Sequence, residues 1–197
     1  MEMTLYEVLR CQHVKRWHTV RTMREQTVAE HSWSVMVIVH ELCGRLNIQM
    51  DSDAKYAMIS WAMMHDTPEG VLGDPPTPTK LLFATANKTK VSIGDVMHSA
   101  EAELSDNWAV MDQWARTHEQ GLPYAVVKIA EEIEVIRFLT IEGVGAYALE
   151  TVRIVDRRLH QRIRDAQDQW PQYDWSVVVS VLTDTLITRQ GTVETSR

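Results

Sequence analysis

The sequence is short of cysteine, glycine, proline and basic charge, and it holds no long apolar run. Cys11 and Cys43 are the only two cysteines in 197 residues, far apart and in no paired motif. Two isolated thiols provide no disulfide framework and suit a reducing compartment. No window is apolar for the ~18 residues that a membrane helix requires. The start, Met1-Glu2-Met3-Thr4, lacks the basic and apolar regions of a secretory signal. The expectation is an intracellular, cytoplasmic protein with no membrane partner. Lys and Arg number 20 against 27 Asp and Glu, a formal net charge of −7. Such a chain lacks the basic footprint for duplex nucleic acid, which argues against that partner. A phosphorylated small molecule stays compatible, because one metal and a few local basic side chains outweigh the global charge.

What is present is apolar and helical in pattern. Hydrophobic residues make up 45% of the chain, ordinary for a globular protein and too many for a disordered one. The 8 Gly and 6 Pro cluster between long periodic segments, and strand-like alternation is almost absent. A first helix is expected over 5–14. Thr27-Val28-Ala29-Glu30 has the form of a capping box, which puts His31 in the first turn of a helix reaching about 46. Its apolar face is read as Val35, Val37, Ile38, Val39 and Leu42. Asp51 or Ser52 caps a third helix, through Tyr56, Met58, Ile59, Trp61, Ala62 and Met63 to His65. Pro68 breaks that pattern, and Asp74-Pro75-Pro76-Thr77-Pro78 reads as a rigid extended loop. Further helices are expected at about 93–116, 124–142, 146–168 and 174–187. No repeat or linker marks a boundary, so the reading is one all-α domain over 1–189, with a polar, frayed tail at 190–197.

His65 and Asp66 are adjacent at the end of an apolar helix, with Ala62 and Trp61 at i−3 and i−4 from the histidine. A carboxylate is seldom buried without a partner. A divalent cation accepting both side chains explains the pair; a core histidine beside a helix-capping aspartate explains it as well. His31 taken alone is equally a solvated helix start.

The joint pattern is more specific. Arg16-Trp17, the stretch REQTVAEHS from Arg24 to Ser32, HDTPEGVLGDPPTPTK from His65 to Lys80, and the weaker KIAEEI from Lys128 to Ile133 occur in one order over the first 140 residues or so. This resembles the HD-domain phosphohydrolases, and within them a nucleotide-processing branch of bacterial 5′-deoxynucleotidases and a phage dATP triphosphohydrolase. The resemblance implies a single-domain helical bundle of the HD type and a metal-dependent phosphohydrolase acting on 2′-deoxynucleotides. It implies metal ligation by His31, His65, Asp66 and a fourth carboxylate. The family's fourth ligand is Asp, and the matching position here is Glu131. Glu131 shares an apolar stripe with Val127, Val135 and Phe138. Glu132 is almost as well placed, with Lys128 at i−4 as an ordinary ion-pair partner for it. Two imidazoles and two carboxylates suit Mn²⁺, Co²⁺, Fe²⁺, Ni²⁺ or Zn²⁺ better than Ca²⁺.

The same resemblance gives Glu69, three residues past Asp66, the role of general acid or base beside the ligating Asp66. A first-turn carboxylate favoured by the helix dipole is the competing account of Glu69. Arg16 is placed on the substrate's phosphate or sugar and Trp17 against the deoxyribose, although a helix-end Arg beside a core Trp is also common. Asp74 becomes a polar substrate contact of the rigid loop, Lys80 a phosphate contact, and Thr19 a short side chain lining the base pocket. Cleavage at the 5′ ester releases deoxynucleoside with phosphate from a monophosphate, or with triphosphate from a triphosphate such as dATP. Arg21, Arg24, Lys88 and Lys90 are candidates for the extra positive charge a triphosphate needs. Relatives form homo-oligomers, which is the expectation here too. Two alternatives remain: another phosphorylated nucleotide (cyclic nucleotide or alarmone) on the same scaffold, and a non-catalytic nucleotide-binding module whose metal site Glu131 has weakened.

Overall fold

The computed structural model describes residues 2–75 and 93–186. In chain order the helices are α1 (Leu5–Leu9), α2 (Val28–Arg45), α3 (Ser52–Met64), the single-turn α4 (Glu69–Leu72), α5 (Ile93–Leu104), α6 (Asp106–Thr117), α7 (Leu122–Glu142), α8 (Ala146–Gln169) and α9 (Val177–Leu186). Turns of 3₁₀ helix lie at Arg10–Gln12 and His118–Gly121. Among the described residues extended pairing is limited to isolated bridges between Lys15 and Thr27 and between Thr22 and Gly143. The all-α expectation holds.

α7 is the axis of the molecule. Gly121, at φ 90°, turns the chain into it, and Pro123 sits in its first turn where no intrahelical N–H is lost. Its sequence is apolar on nearly every side, and Val126, Val127, Ala130, Ile133, Phe138 and Leu139 are all buried. A helix of that pattern needs neighbours all round. α2 and α8 pack along it most extensively, α3 pairs with α2, and α6 and α9 close the remaining flanks. A smaller cluster of Val20, Phe138, Leu139 and Ala148 lies where α7 turns into α8. No described helix is long and apolar enough to cross a membrane.

Several boundaries differ from the sequence expectation. The first helix stops at Leu9 and tightens into one 3₁₀ turn ending at Gln12. The segment expected as one helix over 93–116 is two, because Ser105 is extended and its hydroxyl accepts from Trp108 N–H, capping α6. A serine that bonds the backbone ahead of it favours a new start over continuation. The last helix begins at Val177 rather than 174, after a turn in which Asp174 accepts from Ser176. On α2 and α3 the apolar runs are wider than the buried faces. Val37, Tyr56 and Met63 are exposed, while Val35, Val39, Met58, Trp61 and Ala62 are buried. The expected tail at 190–197, and positions 76–78, lie outside the described residues.

Candidate functional site

The capping box at Thr27 is present in full. Thr27 Oγ1 accepts from Glu30 N–H, and Glu30 reciprocates on Thr27 N–H. It places His31 on the inner face of α2, where the ring is 1% exposed. α3 ends at Met64, and His65 turns the chain out of it. Trp108 Nε1–H donates to the His65 carbonyl at 2.8 Å, closing off that helix end. Pro68 then starts α4, so Glu69 opens a helical turn and is buried. Gly70 follows because α4 rests on the backbone of α1: a Cβ there would meet Glu7 O at 2.5 Å.

His31, His65 and Asp66 each present a ligand atom, all within 4.8 Å of one another. Asp66 Oδ2 lies 3.5 Å from His31 Nε2, and Asp66 Oδ1 lies 3.4 Å from His65 Nε2. Each imidazole has its far nitrogen occupied. His65 Nδ1–H donates to the Ala62 carbonyl at 2.9 Å, and His31 Nδ1–H donates to Glu134 at 2.7 Å. These acceptors fix the tautomers, leaving lone pairs on both Nε2 atoms. His65 Nε2 is buried and has no hydrogen-bond partner. A buried acceptor with nothing to accept, facing a carboxylate that has no proton to give, fits a cation and little else. Burial opposes ionisation of Asp66, yet His65, His31 and Arg16 hold its carboxyl far below the usual range. Burial keeps His65 neutral by lowering its pKa, the form a metal ligand needs.

Glu131 Oε1 is 3.4 Å from His65 Nε2. The structure corrects the accompanying expectation about Lys128: its Nζ bonds both oxygens of Glu131, at 2.7 and 2.9 Å, and not Glu132. Burial works against the Glu131 charge, but Lys128 and His65 keep its pKa low. Glu132 faces α8 instead, where its Oε1 accepts from Arg158 Nε at 2.6 Å and Arg162 Nε at 2.7 Å.

His31, Asp66, Lys128, Glu131 and Glu132 share the wall of a cavity of about 450 Å³, which Arg16, Trp17, Thr19, Glu69 and Asp74 also line. Arg16 Nε lies 3.6 Å from Asp74 and Nη1 lies 3.8 Å from Asp66, neither atom having a hydrogen-bond partner. A buried guanidinium with idle donors beside a metal site is ready for an anion. Trp17 adopts φ 66°, an uncommon left-handed backbone for a large residue. Its ring is held from two sides: it stacks on Phe138 at 5.7 Å and 6°, and Nε1–H donates to Gln26 at 2.7 Å. Strain of that kind persists where the surroundings over-determine it, often at functional sites. Lys80, Lys88 and Lys90 lie outside the described residues. Arg24 is committed to Glu30 and Glu142, and neither it nor Arg21 lines the cavity.

Four participants escaped the sequence reading: Gln26, Glu134, Arg158 and Arg162. Glu134 had a signal, since it lies three residues beyond Glu131 and so near the same helix face. Arg158 and Arg162 stand at i and i+4 on α8, a spacing that places two guanidinium groups together.

Residues 5–134 match the family described as 5′-deoxynucleotidase YfbR-like. A dATP triphosphohydrolase of Salmonella phage PMBT28 is 31% identical, over 86% of this chain and 83% of that protein. A 5′-deoxynucleotidase YfbR of Salmonella arizonae is 32% identical, over 61% of this chain and 62% of that one. Among solved structures, the Cyanophage S-2L HD phosphohydrolase (DatZ) bound to dA and one catalytic Zn²⁺ superposes with a TM-score of 0.73. It is 23% identical, with 94% of this chain and 98% of that chain covered.

Proposed function

The chain belongs to the YfbR-like 5′-deoxynucleotidase family, and from that premise we propose that its cavity hydrolyses the 5′ phosphate ester of 2′-deoxynucleotides with a divalent metal. The observation that carries the reading is the convergence of His31, His65 and Asp66 within 4.8 Å, each imidazole already oriented through its other nitrogen.

His31, His65, Asp66 and Glu131 hold the metal, and their mixed nitrogen and oxygen set suits a first-row ion among Mn, Co, Fe, Ni and Zn. Such an ion lowers the pKa of a bound water and neutralises charge developing on phosphoryl oxygens. Arg16 supplies fixed positive charge to the phosphate through its idle Nε and Nη1 donors, with Asp74 steadying the guanidinium at 3.6 Å. Glu69 moves the proton between the attacking water and the leaving 5′ oxygen, a role supported by its burial on the cavity wall. Trp17 presents a ring face, because its only polar atom is spent on Gln26. A 2′-hydroxyl against that face is desolvated without a partner, which favours the deoxy sugar. Thr19 is exposed at the same end of the cavity and leaves room for the base.

Elemental analysis of the purified protein, with product release measured on dAMP, AMP, dATP and ATP, tests the reading. It predicts one bound transition metal per chain and faster turnover of the deoxy substrates. His65→Ala and Asp66→Ala should lose the metal and nearly all turnover while staying helical. Stoichiometric metal and wild-type rate in either variant would overturn the assignment.

A further inference from the structure

The cavity has a polarity that the hydrolytic centre does not use. α7 and α8 are joined by the short turn at 143–145 and therefore run antiparallel. Near that turn the lining is apolar or neutral: Trp17, Val20, Val135, Tyr147 and Thr151. Away from the turn it is Lys128, Glu132, Arg158 and Arg162. Along α7, Glu131, with His65 beside it, lies between Lys128 and Glu132, so the metal-binding carboxylate adjoins the basic end.

The basic end is built rather than incidental. Glu132 is 3% exposed and takes Nε of both arginines on a single oxygen. Two guanidinium groups on one carboxylate leave one positive charge in excess. Each is gripped through Nε alone, and among the described residues no hydrogen bond engages their Nη groups. The side chains are 46% and 37% exposed, open to the cavity. A guanidinium anchored through Nε with its Nη edge free is arranged for bidentate capture of a phosphate.

We infer that Arg158 and Arg162 form a polyphosphate subsite, which receives the β- and γ-phosphates of a deoxynucleoside 5′-triphosphate. This rests on the function proposed above and adds the substrate's phosphate number to it. Water adds at the α-phosphorus, the P–O5′ bond breaks, the 5′ oxygen takes up a proton and the triphosphate leaves intact. The nucleoside then occupies the Trp17 end of the cavity, and the leaving triphosphate lies along α8.

Arg158→Gln and Arg162→Gln test this, because a glutamine amide can still donate to Glu132 while the charge and the fork are lost. The ratio of kcat/KM on dATP to that on dAMP should fall about tenfold or more in each variant, the size expected for a lost charge-assisted contact. An unchanged ratio would overturn the subsite, whether both rates fall together or neither moves. A second arm needs no turnover: inorganic triphosphate and orthophosphate are titrated calorimetrically into the metal-loaded protein. Triphosphate should bind the wild type more tightly than orthophosphate, and both variants should erase most of that difference. Equal affinities in the wild type would overturn the subsite. Failure of the wild type to hydrolyse any deoxynucleotide would instead count against the proposed function, with the titration still deciding the subsite.

Discussion

Trp17 and His31 are joined by an unbroken run of hydrogen bonds. Trp17 Nε1–H donates to Gln26 at 2.7 Å, Gln26 Nε2–H donates to Glu134 at 2.6 Å, and His31 Nδ1–H donates to the other Glu134 oxygen at 2.7 Å. The wall proposed to meet the sugar and a proposed metal ligand are thus set by the same two side chains. Glu134 is fully buried; burial raises its pKa, but His31, Arg16 and Gln26 outweigh that and hold it ionised.

Glu134→Ala should therefore weaken metal binding about 10- to 100-fold, the usual consequence of removing a carboxylate behind a ligating histidine. Titration of the apoprotein with Co²⁺, followed by its visible absorption, reads this directly. An unchanged affinity would reduce Glu134 to a filler of the core.

Chemistry and binding should separate at Glu69. Glu69→Gln keeps the size and much of the hydrogen-bonding capacity of the side chain. Turnover should drop about 100- to 10,000-fold with metal content intact. Loss of metal together with activity would recast Glu69 as a ligand.

Sugar selectivity should depend on Trp17. Burying an unpartnered hydroxyl costs about 1–3 kcal/mol, so the wild type should prefer dAMP over AMP by roughly tenfold to a hundredfold in kcat/KM. Trp17→Ala should shrink that preference, chiefly by improving the ribonucleotide. Equal wild-type rates on the two sugars would leave Trp17 a packing residue only.

Gly70→Ala tests whether α1 props the catalytic turn. The added methyl would meet Glu7 O at 2.5 Å and Cys11 Sγ at 3.2 Å. Overpacking of this kind costs about 1–3 kcal/mol, visible as a lower denaturation midpoint. Glu69 adjoins the displaced residue, so turnover should fall as well. Wild-type stability would show that α1 yields freely.

The two thiols should be inert in the folded protein. Burial pushes both Cys11 and Cys43 up to about 11. At pH 8 the thiolate is then about one part in a thousand, and it is the thiolate that reacts. Labelling with a disulfide reagent should be slow until pH approaches 11 or denaturant is added. Fast labelling of Cys11 at pH 8 would show that the turn carrying His65 and Asp66 opens readily.

The sequence made the start of α2 legible to the residue, because a capping box is a local signal that needs no tertiary partner. It made His65-Asp66 conspicuous for the same reason. Orientation about a helix axis was harder. On α3 apolar residues occur on more than one face, so Tyr56 and Met63 looked as buried as Met58. Glu131, Glu132 and Glu134 on α7 posed that problem in its sharpest form, since Lys128 is within one turn of both Glu131 and Glu132. Only the packing of α8 shows that two arginines draw Glu132 away and leave the lysine to Glu131. Gln26 carried no local mark, because the carboxylate it donates to, Glu134, is 108 residues away.

Glu131, Glu132 and Glu134 occupy little more than one turn of a rigid rod, and each is bound to a different neighbour. Rotating or sliding α7 would sever the ties to α2 and to α8 together, while Lys128, on the same helix, travels with Glu131, so this wall moves only by giving up both outside partners. Local opening draws on the least anchored elements. Any widening of the cavity therefore falls to the other walls: the one-turn helix α4, the chain beyond it at Asp74 and Pro75, or the half-exposed arginine side chains of α8. α7 stays fixed as the reference against which those parts move.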